Sequence, residues 1–171
     1  MQQAIEEAKS ATMRDEVPVG AVLVDYKTGE IIASGSNTVI EHSDPTAHAE
    51  INVIRAACKF NPSSFWERVR ANLILGTPSP RPFPKARGKL HLDNCDIYIT
   101  LEPCAMCAQA ISNARIRRIY YGAYDPKSGG VDHGARVLES SSCHHKPEVY
   151  GGIMEEECGQ LLSVFFKSKR C

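Results

Sequence analysis

Two short stretches of the chain hold residues whose types and spacing could do chemistry. In "TLEPCAMCAQA", residues 100–110, Cys104 and Cys107 stand three apart. On a helix that spacing puts both thiols on one face. In a first turn, the positive end of the helix dipole favours thiolate over thiol. Pro103 suits a helix start, having no N–H to lose. In "TAHAEINVIRAA", residues 46–57, His48 and Glu50 stand two apart in what reads as the first turn of another helix. Zinc takes four ligands, and a catalytic site offers three from protein and leaves the fourth to water. His48, Cys104 and Cys107 would make such a Cys₂His set. Glu50 does not share the helical face of His48, so it is expected to reach across the site and pass a proton from water to a substrate atom.

Alone, each motif leaves other readings open. A Cys-x-x-Cys pair in a reducing compartment serves metal binding, redox chemistry or neither, and an isolated His-x-Glu is commonly incidental. The pair of motifs at two helix starts is far more specific. A purely structural zinc would need a fourth protein ligand. Cys143-His144-His145 could suggest a second metal site, but adjacent residues point in different directions. His42, His91 and His133 have no evident partners and read as surface residues.

The elements that must position these residues are legible in outline. Residues 2–14 carry Ile5, Ala8, Ala11 and Thr12 or Met13 on one side and predict a first helix. Two β-branched runs, 19–25 and 30–36, flank a turn at Lys27-Thr28-Gly29 and predict a hairpin. Asp44 as a cap and Pro45 at the first position predict that the helix carrying His48 starts there and runs to about Cys58. Residues 61–94 hold five of the ten prolines and little periodicity. A short helix near 64–73 and a basic, proline-rich loop over 77–89 are expected within them. "CDIYITL" reads as a buried strand, "PCAMCAQAISNAR" as a helix and "RIRRIYYGAY" as another strand. "MEEECGQLLSVFFKSKR" reads as an amphipathic terminal helix. Strands and helices alternating in this way predict an α/β sheet with helices on both faces.

With 171 residues, 43% of them hydrophobic and 23% charged, the chain is expected to form one domain with a sizeable core. No apolar run approaches the ~20 residues that cross a bilayer. The N-terminal stretch lacks the apolar core and cleavage site of a secretory signal. Seven cysteines is an odd number in such a chain, which favours a cytoplasmic protein with reduced thiols over a disulfide framework. The formal net charge is zero, so a nucleic-acid partner would need a local basic patch. Lys167, Lys169 and Arg170 could supply one. "RPFPKARGKL" reads either as a phosphate-binding arm or as a solvated loop.

The pattern H-x-E followed by P-C-x-x-C is the signature of the zinc nucleobase deaminases, with the Glu as acid/base and not a ligand. The chain resembles the cytidine deaminase superfamily and is similar, within it, to the bacterial tRNA-specific adenosine deaminases. "VPVGAVLV", "DPTAHAEI", "TLEPCAMCAQAI", "GAYDPKSG" and "GGIMEEECGQLLSVFFKSKR" carry the likeness. The first three are shared with free-base enzymes such as guanine deaminase; the last two point to the tRNA enzyme. The resemblance implies a three-layer α/β/α fold with a mixed five-stranded sheet, one zinc per chain on His48, Cys104 and Cys107, and Glu50 as the proton carrier. It further implies that Asn37 hydrogen-bonds the target base and that Asp125 and Phe166 contact an anticodon loop. Without it, Asn37 reads as a polar strand end and Phe166 as core. Deamination of adenosine to inosine at the wobble position, on an arginine tRNA, and a homodimer using the helix after Cys107 are also implied. A free-base or nucleoside deaminase of guanine or cytidine type is the alternative. The chain departs from the pattern by a segment inserted at about 61–94 and by Arg136 and "ESSS" after the glycine loop.

Overall fold

The computed structural model describes residues 1–59 and 91–170. The short helix expected near 64–73 and the basic loop over 77–89 lie outside them. The first helix, α1, is Gln2–Met13; it buries Ile5, Ala8 and Ala11 as expected, with Ala4 beside them, whereas Thr12 and Met13 at its end are exposed. The hairpin follows as β1 (Gly20–Asp25) and β2 (Ile31–Ser36), paired antiparallel from Gly20–Ser36 to Val24–Ile31. Gly20 is required where it stands. A Cβ there would lie 2.0 Å from the Ala4 carbonyl and 2.6 Å from the Ala8 nitrogen, so α1 can press onto β1 only over a residue without one.

A four-residue helix, α2 (Val39–His42), precedes α3 (Ala49–Lys59). The sequence did not announce α2, and it placed the start of α3 too early. Asp44 caps a separate turn instead: its carboxylate accepts from the Thr46 N–H at 2.8 Å and the Thr46 hydroxyl at 2.6 Å. Its carbonyl accepts from the Ala47 N–H at 3.0 Å. The residues that were to form the first helical turn are spent there. Strand β3 (Cys95–Leu101) leads to α4 (Ala105–Asn113), then β4 (Arg118–Ala123), a single 3₁₀ turn at Val137–Glu139, a short β5 (Glu148–Tyr150) and the terminal helix α5 (Glu155–Ser168).

The sheet order is β2-β1-β3-β4-β5. β3 runs antiparallel to β1 and parallel to β4, and β5 is parallel to β4, so the sheet is mixed. Helices α1 and α5 contact one another and the sheet, while α3 contacts α4 and the hairpin. The core between them is built from Leu23, Ile97, Ile99, Ile111, Ile116, Ile119 and Tyr121, all fully buried. This is the three-layer α/β/α arrangement expected. Because β1 opposes β3, the start of β1 lies beside the end of β3, where the Gly20 N–H donates to the Thr100 hydroxyl at 3.1 Å. The ends of β2, β3 and β4 and the entry to β1 therefore meet at one end of the sheet.

Candidate active site

That end of the sheet holds a cavity of about 320 Å³, within the size range of small-molecule sites. Its walls are apolar, from Val17, Val19, Val39, Ile40 and Leu101; its polar groups are Glu16, Asn37, His48, Glu50, Glu102, Cys104, Asp125 and Ser128. His48, Glu50 and Cys104 thus reach one space, along with Asn37 and Asp125. Phe166 is not among the lining residues. It lies on the outer side of α5, 46% exposed, with its ring edge-on to that of Phe165, and Phe165 is the one that is buried.

His48 sits immediately before α3 and not inside its first turn: its carbonyl accepts the first helical bond, from the Asn52 N–H at 3.0 Å. Cys104 occupies the same place before α4, with extended backbone (φ −67°, ψ 171°), which leaves Pro103 outside the helix. Cys107 is in the first turn of α4 and buried. The expected convergence of two helix starts is present, α3 beginning four residues later than the Asp44-Pro45 signal suggested and α4 two residues later than Pro103.

The ligand atoms of His48, Cys104 and Cys107 all lie within 4.8 Å of one another. The Nδ1 of His48 is 3.7 Å from the Cys104 sulfur and 3.5 Å from that of Cys107. A tetrahedral zinc with ordinary Zn–S and Zn–N bond lengths sets its nitrogen and sulfur ligands about 3.6 Å apart. Two thiolates and an imidazole are also the donor chemistry that selects zinc. The residues fit the metal, and Nδ1 is the ring atom placed to bind it. Among the described residues no other group of three side chains could hold an ion. Cys143-His144-His145 is not such a group: the Cys143 thiol donates to the His145 carbonyl at 3.1 Å, and the His145 Nε2 donates to the Ile116 carbonyl at 2.7 Å.

Of the two thiols, Cys104 is held as the thiolate. Its pKa falls to about 4, first because the Cys107 thiol donates to it and then because of His48. Cys107 shifts upward, since that same hydrogen bond holds its proton and burial opposes charge. His48 is raised, chiefly by its contact with Cys104. Glu50 is 3% exposed, and burial pushes its carboxyl above the usual range. A carboxyl poised in that way suits proton exchange better than an ordinary surface glutamate does.

With this geometry in hand, comparison with known proteins is decisive. Residues 1–123 match the cytidine and deoxycytidylate deaminase zinc-binding region. A tRNA-specific adenosine deaminase of Agrobacterium fabrum is 46% identical over 170 residues, covering 99% of this chain and 93% of that protein. The chain belongs to the tRNA-specific adenosine deaminase family. The enzyme of that name from Bacillus subtilis is 38% identical, again over 99% of this chain and 88% of its own length. A solved structure from a study of A-to-I editing by tRNA:A34 deaminases is 46% identical, with a TM-score of 0.73, covering 95% of this chain and 97% of that one. A guanine deaminase from Nitrosomonas europaea, at 18% identity and a TM-score of 0.66, shares the fold. The cofactor of this deaminase family is zinc.

Three residues of the site escaped the sequence reading. Glu16 is fully buried; it accepts the Asn37 side-chain amide at 2.9 Å and the N–H groups of Ile40 and Glu41 at 2.7 and 2.8 Å. Glu102 holds the loop after β4 by several hydrogen bonds. His133, expected at the surface without a partner, donates from Nδ1 to Glu102 at 2.8 Å. In the basic group at the end of α5, Lys169 just past the helix pairs with Asp15 and lies 5.5 Å from the Phe165 ring centre.

Proposed function

We infer that this chain deaminates adenosine to inosine by hydrolysis at the wobble position of a tRNA anticodon. The observation that carries the reading is one cavity lined by His48, Cys104 and Glu50, with Cys107 behind them within ligand distance. Its size admits a single base with apolar walls on which to rest. Similarity to the tRNA enzymes over nearly the whole chain supports adenosine in RNA over a free base.

His48, Cys104 and Cys107 would hold the zinc. When bound there, zinc supplies a Lewis acid that makes water nucleophilic near neutral pH. The chain's own contribution is proton handling and orientation. Glu50 takes a proton from the water as its oxygen bonds to C6 of the adenine, and passes it to N1, where the C6=N1 π pair goes. Glu50 then carries the proton of the new C6 hydroxyl to the amino nitrogen, and the C6–N6 bond breaks as C6=O forms, releasing ammonia. Asn37, clamped by Glu16, offers its amide to the edge of the base. Asp125 and Phe166 meet the flanking nucleotides, which a splayed anticodon loop presents for stacking and hydrogen bonding.

The same reading extends to an arginine tRNA as substrate, a homodimer using α4, a cytoplasmic setting, and one domain with an inserted segment at about 61–94. Among the described residues no helix is long and apolar enough to cross a membrane. The test is direct: an anticodon stem-loop with adenosine at the wobble position should yield inosine, while free adenosine, guanine and cytidine stay unchanged. Rapid turnover of a free base with the stem-loop untouched would overturn the assignment.

A further inference from the structure

The Glu102 carboxylate has no part in the zinc chemistry, yet it anchors the wall of the cavity. It leaves the end of β3 two residues before Cys104, with no side-chain surface exposed. Oε1 accepts from the N–H groups of Val131, Asp132 and His133 at 3.3, 2.9 and 2.9 Å. Oε2 accepts from the Asp125 N–H at 3.0 Å and from His133 Nδ1 at 2.8 Å. An ionised carboxylate only accepts, so Nδ1 of His133 carries the hydrogen.

All these donors belong to the loop 125–134. Gly129 makes the closure possible: a Cβ there would stand 2.5 Å from Oε1. The loop also pairs with the ligand segment, through a bridge between Cys104 and Gly129 and a 2.8 Å bond from the Gly130 N–H to the Pro103 carbonyl. One buried side chain therefore joins the approach to a zinc ligand with the loop that brings Asp125 and Ser128 to the cavity. The loop has a second anchor, since the buried Tyr121 hydroxyl donates to Asp132. Release of Glu102 would free the cavity side of the loop while the rest stays attached.

We propose that Glu102, with His133, is a positioning residue that fixes loop 125–134 in the geometry that receives the nucleotide. It governs substrate affinity through Asp125 and Ser128, and the chemical step only weakly. This rests on the reading of the cavity as the base pocket.

Glu102→Gln tests it, because the amide keeps the size but aims donors at donors. The readouts are kcat and KM on the anticodon stem-loop, zinc content, and amide exchange at Val131, Asp132 and His133. KM should rise roughly tenfold or more with kcat changed far less, as expected when positioning and not the transition-state interaction is lost. Zinc should stay at one per chain, and the three amides should exchange faster. His133→Ala, which keeps the backbone donors, should move KM the same way by less, and it carries the test if Glu102→Gln does not fold. The effect of Asp125→Ala should shrink in the Glu102→Gln background, because contacting residues of one unit are not additive. An unchanged KM, or a fall in kcat together with loss of zinc, would overturn the proposal. A wild-type protein inactive on the stem-loop would remove the functional reading instead, and unchanged amide exchange in Glu102→Gln would remove the clamp alone.

Discussion

Glu16 accepts the side-chain amide of Asn37 at 2.9 Å from a fully buried position, twenty-one residues earlier in the chain. The bond decides which way the Asn37 amide faces. A carboxylate has only acceptors, so the NH₂ group must turn toward Glu16 and the oxygen away from it. Glu16 also takes the N–H groups of Ile40 and Glu41 at the start of α2, which locks the loop around Asn37. On the proposed role of Asn37, the acceptor it offers to a base is set by a residue that no base need touch.

Glu16→Gln should therefore reverse the amide. The new side chain can keep its oxygen on the α2 N–H groups only by presenting NH₂ to Asn37, whose amide must flip to answer it. We expect a raised KM for the stem-loop and a stability loss of about 1–3 kcal/mol, the scale of replacing charge-assisted hydrogen bonds in a buried site. Steady-state kinetics and urea unfolding read the two effects. An unaltered KM would show that the amide orientation does not matter to the substrate.

Local pattern explains what the sequence disclosed and what it withheld. β3 was legible to the residue, since "CDIYITL" is a bounded β-branched run. The cluster of His48, Cys104 and Cys107 was legible because a metal demands fixed residue types at fixed spacing. Helix starts were not, since the Asp44 cap signal serves a turn before α3 as readily as the helix itself. β5 is only three residues long and half-exposed, too short for a period to register. Glu16, Glu102 and His133 were invisible for another reason: a buried carboxylate is defined by its donors, and those of Glu102 come about thirty residues later.

The zinc assignment is checked by elemental analysis. Purified protein should hold one zinc per chain, and Cys104→Ser or Cys107→Ser should lose it. Both variants should also melt at lower temperature, because the energy of metal binding is in part energy of folding. Chelation of the wild type should lower its melting temperature in the same direction. Protein without zinc after growth in zinc-replete medium would sink the mechanism.

Glu50→Gln separates proton transfer from ligation. The substitution preserves shape but cannot accept a proton, and such groups contribute roughly 10²–10⁴-fold to rate. Zinc content should remain at one per chain while inosine formation collapses. Loss of the metal in this variant would make Glu50 a ligand and the proposed role wrong.

Cys158 gives an alkaline signature. It is fully buried on α5, and burial pushes its thiol from 9.0 up to about 11. A pKa raised in the folded state adds stability that is complete below the unfolded value and disappears as pH climbs through the folded one. The contribution should fade between pH 9 and about 11. Cys158→Ala should lower stability at pH 8 and flatten the decline above pH 9. Equal slopes in the two proteins would place the alkaline loss elsewhere.

Substrate recognition should depend on salt, and unequally on the basic residues of the terminal helix. Each phosphate contact on a single strand makes log affinity fall by roughly 0.7 per decade of salt. Lys169 is already paired with Asp15, so its charge is partly spent inside the protein. Arg170→Ala should reduce the salt slope by about one contact, whereas Lys169→Ala should change the slope less and loosen the junction between α5 and the end of α1. Phe166 presents an exposed ring on the same helix, and stacking of one base on such a ring contributes roughly 1–3 kcal/mol. Phe166→Ala should then raise KM for an arginine-tRNA stem-loop roughly tenfold without touching zinc content. Free adenosine lacks flanking nucleotides and should react poorly with either protein. Equal loss from Lys169→Ala and Arg170→Ala, with no effect of Phe166→Ala, would move the RNA contact off the terminal helix.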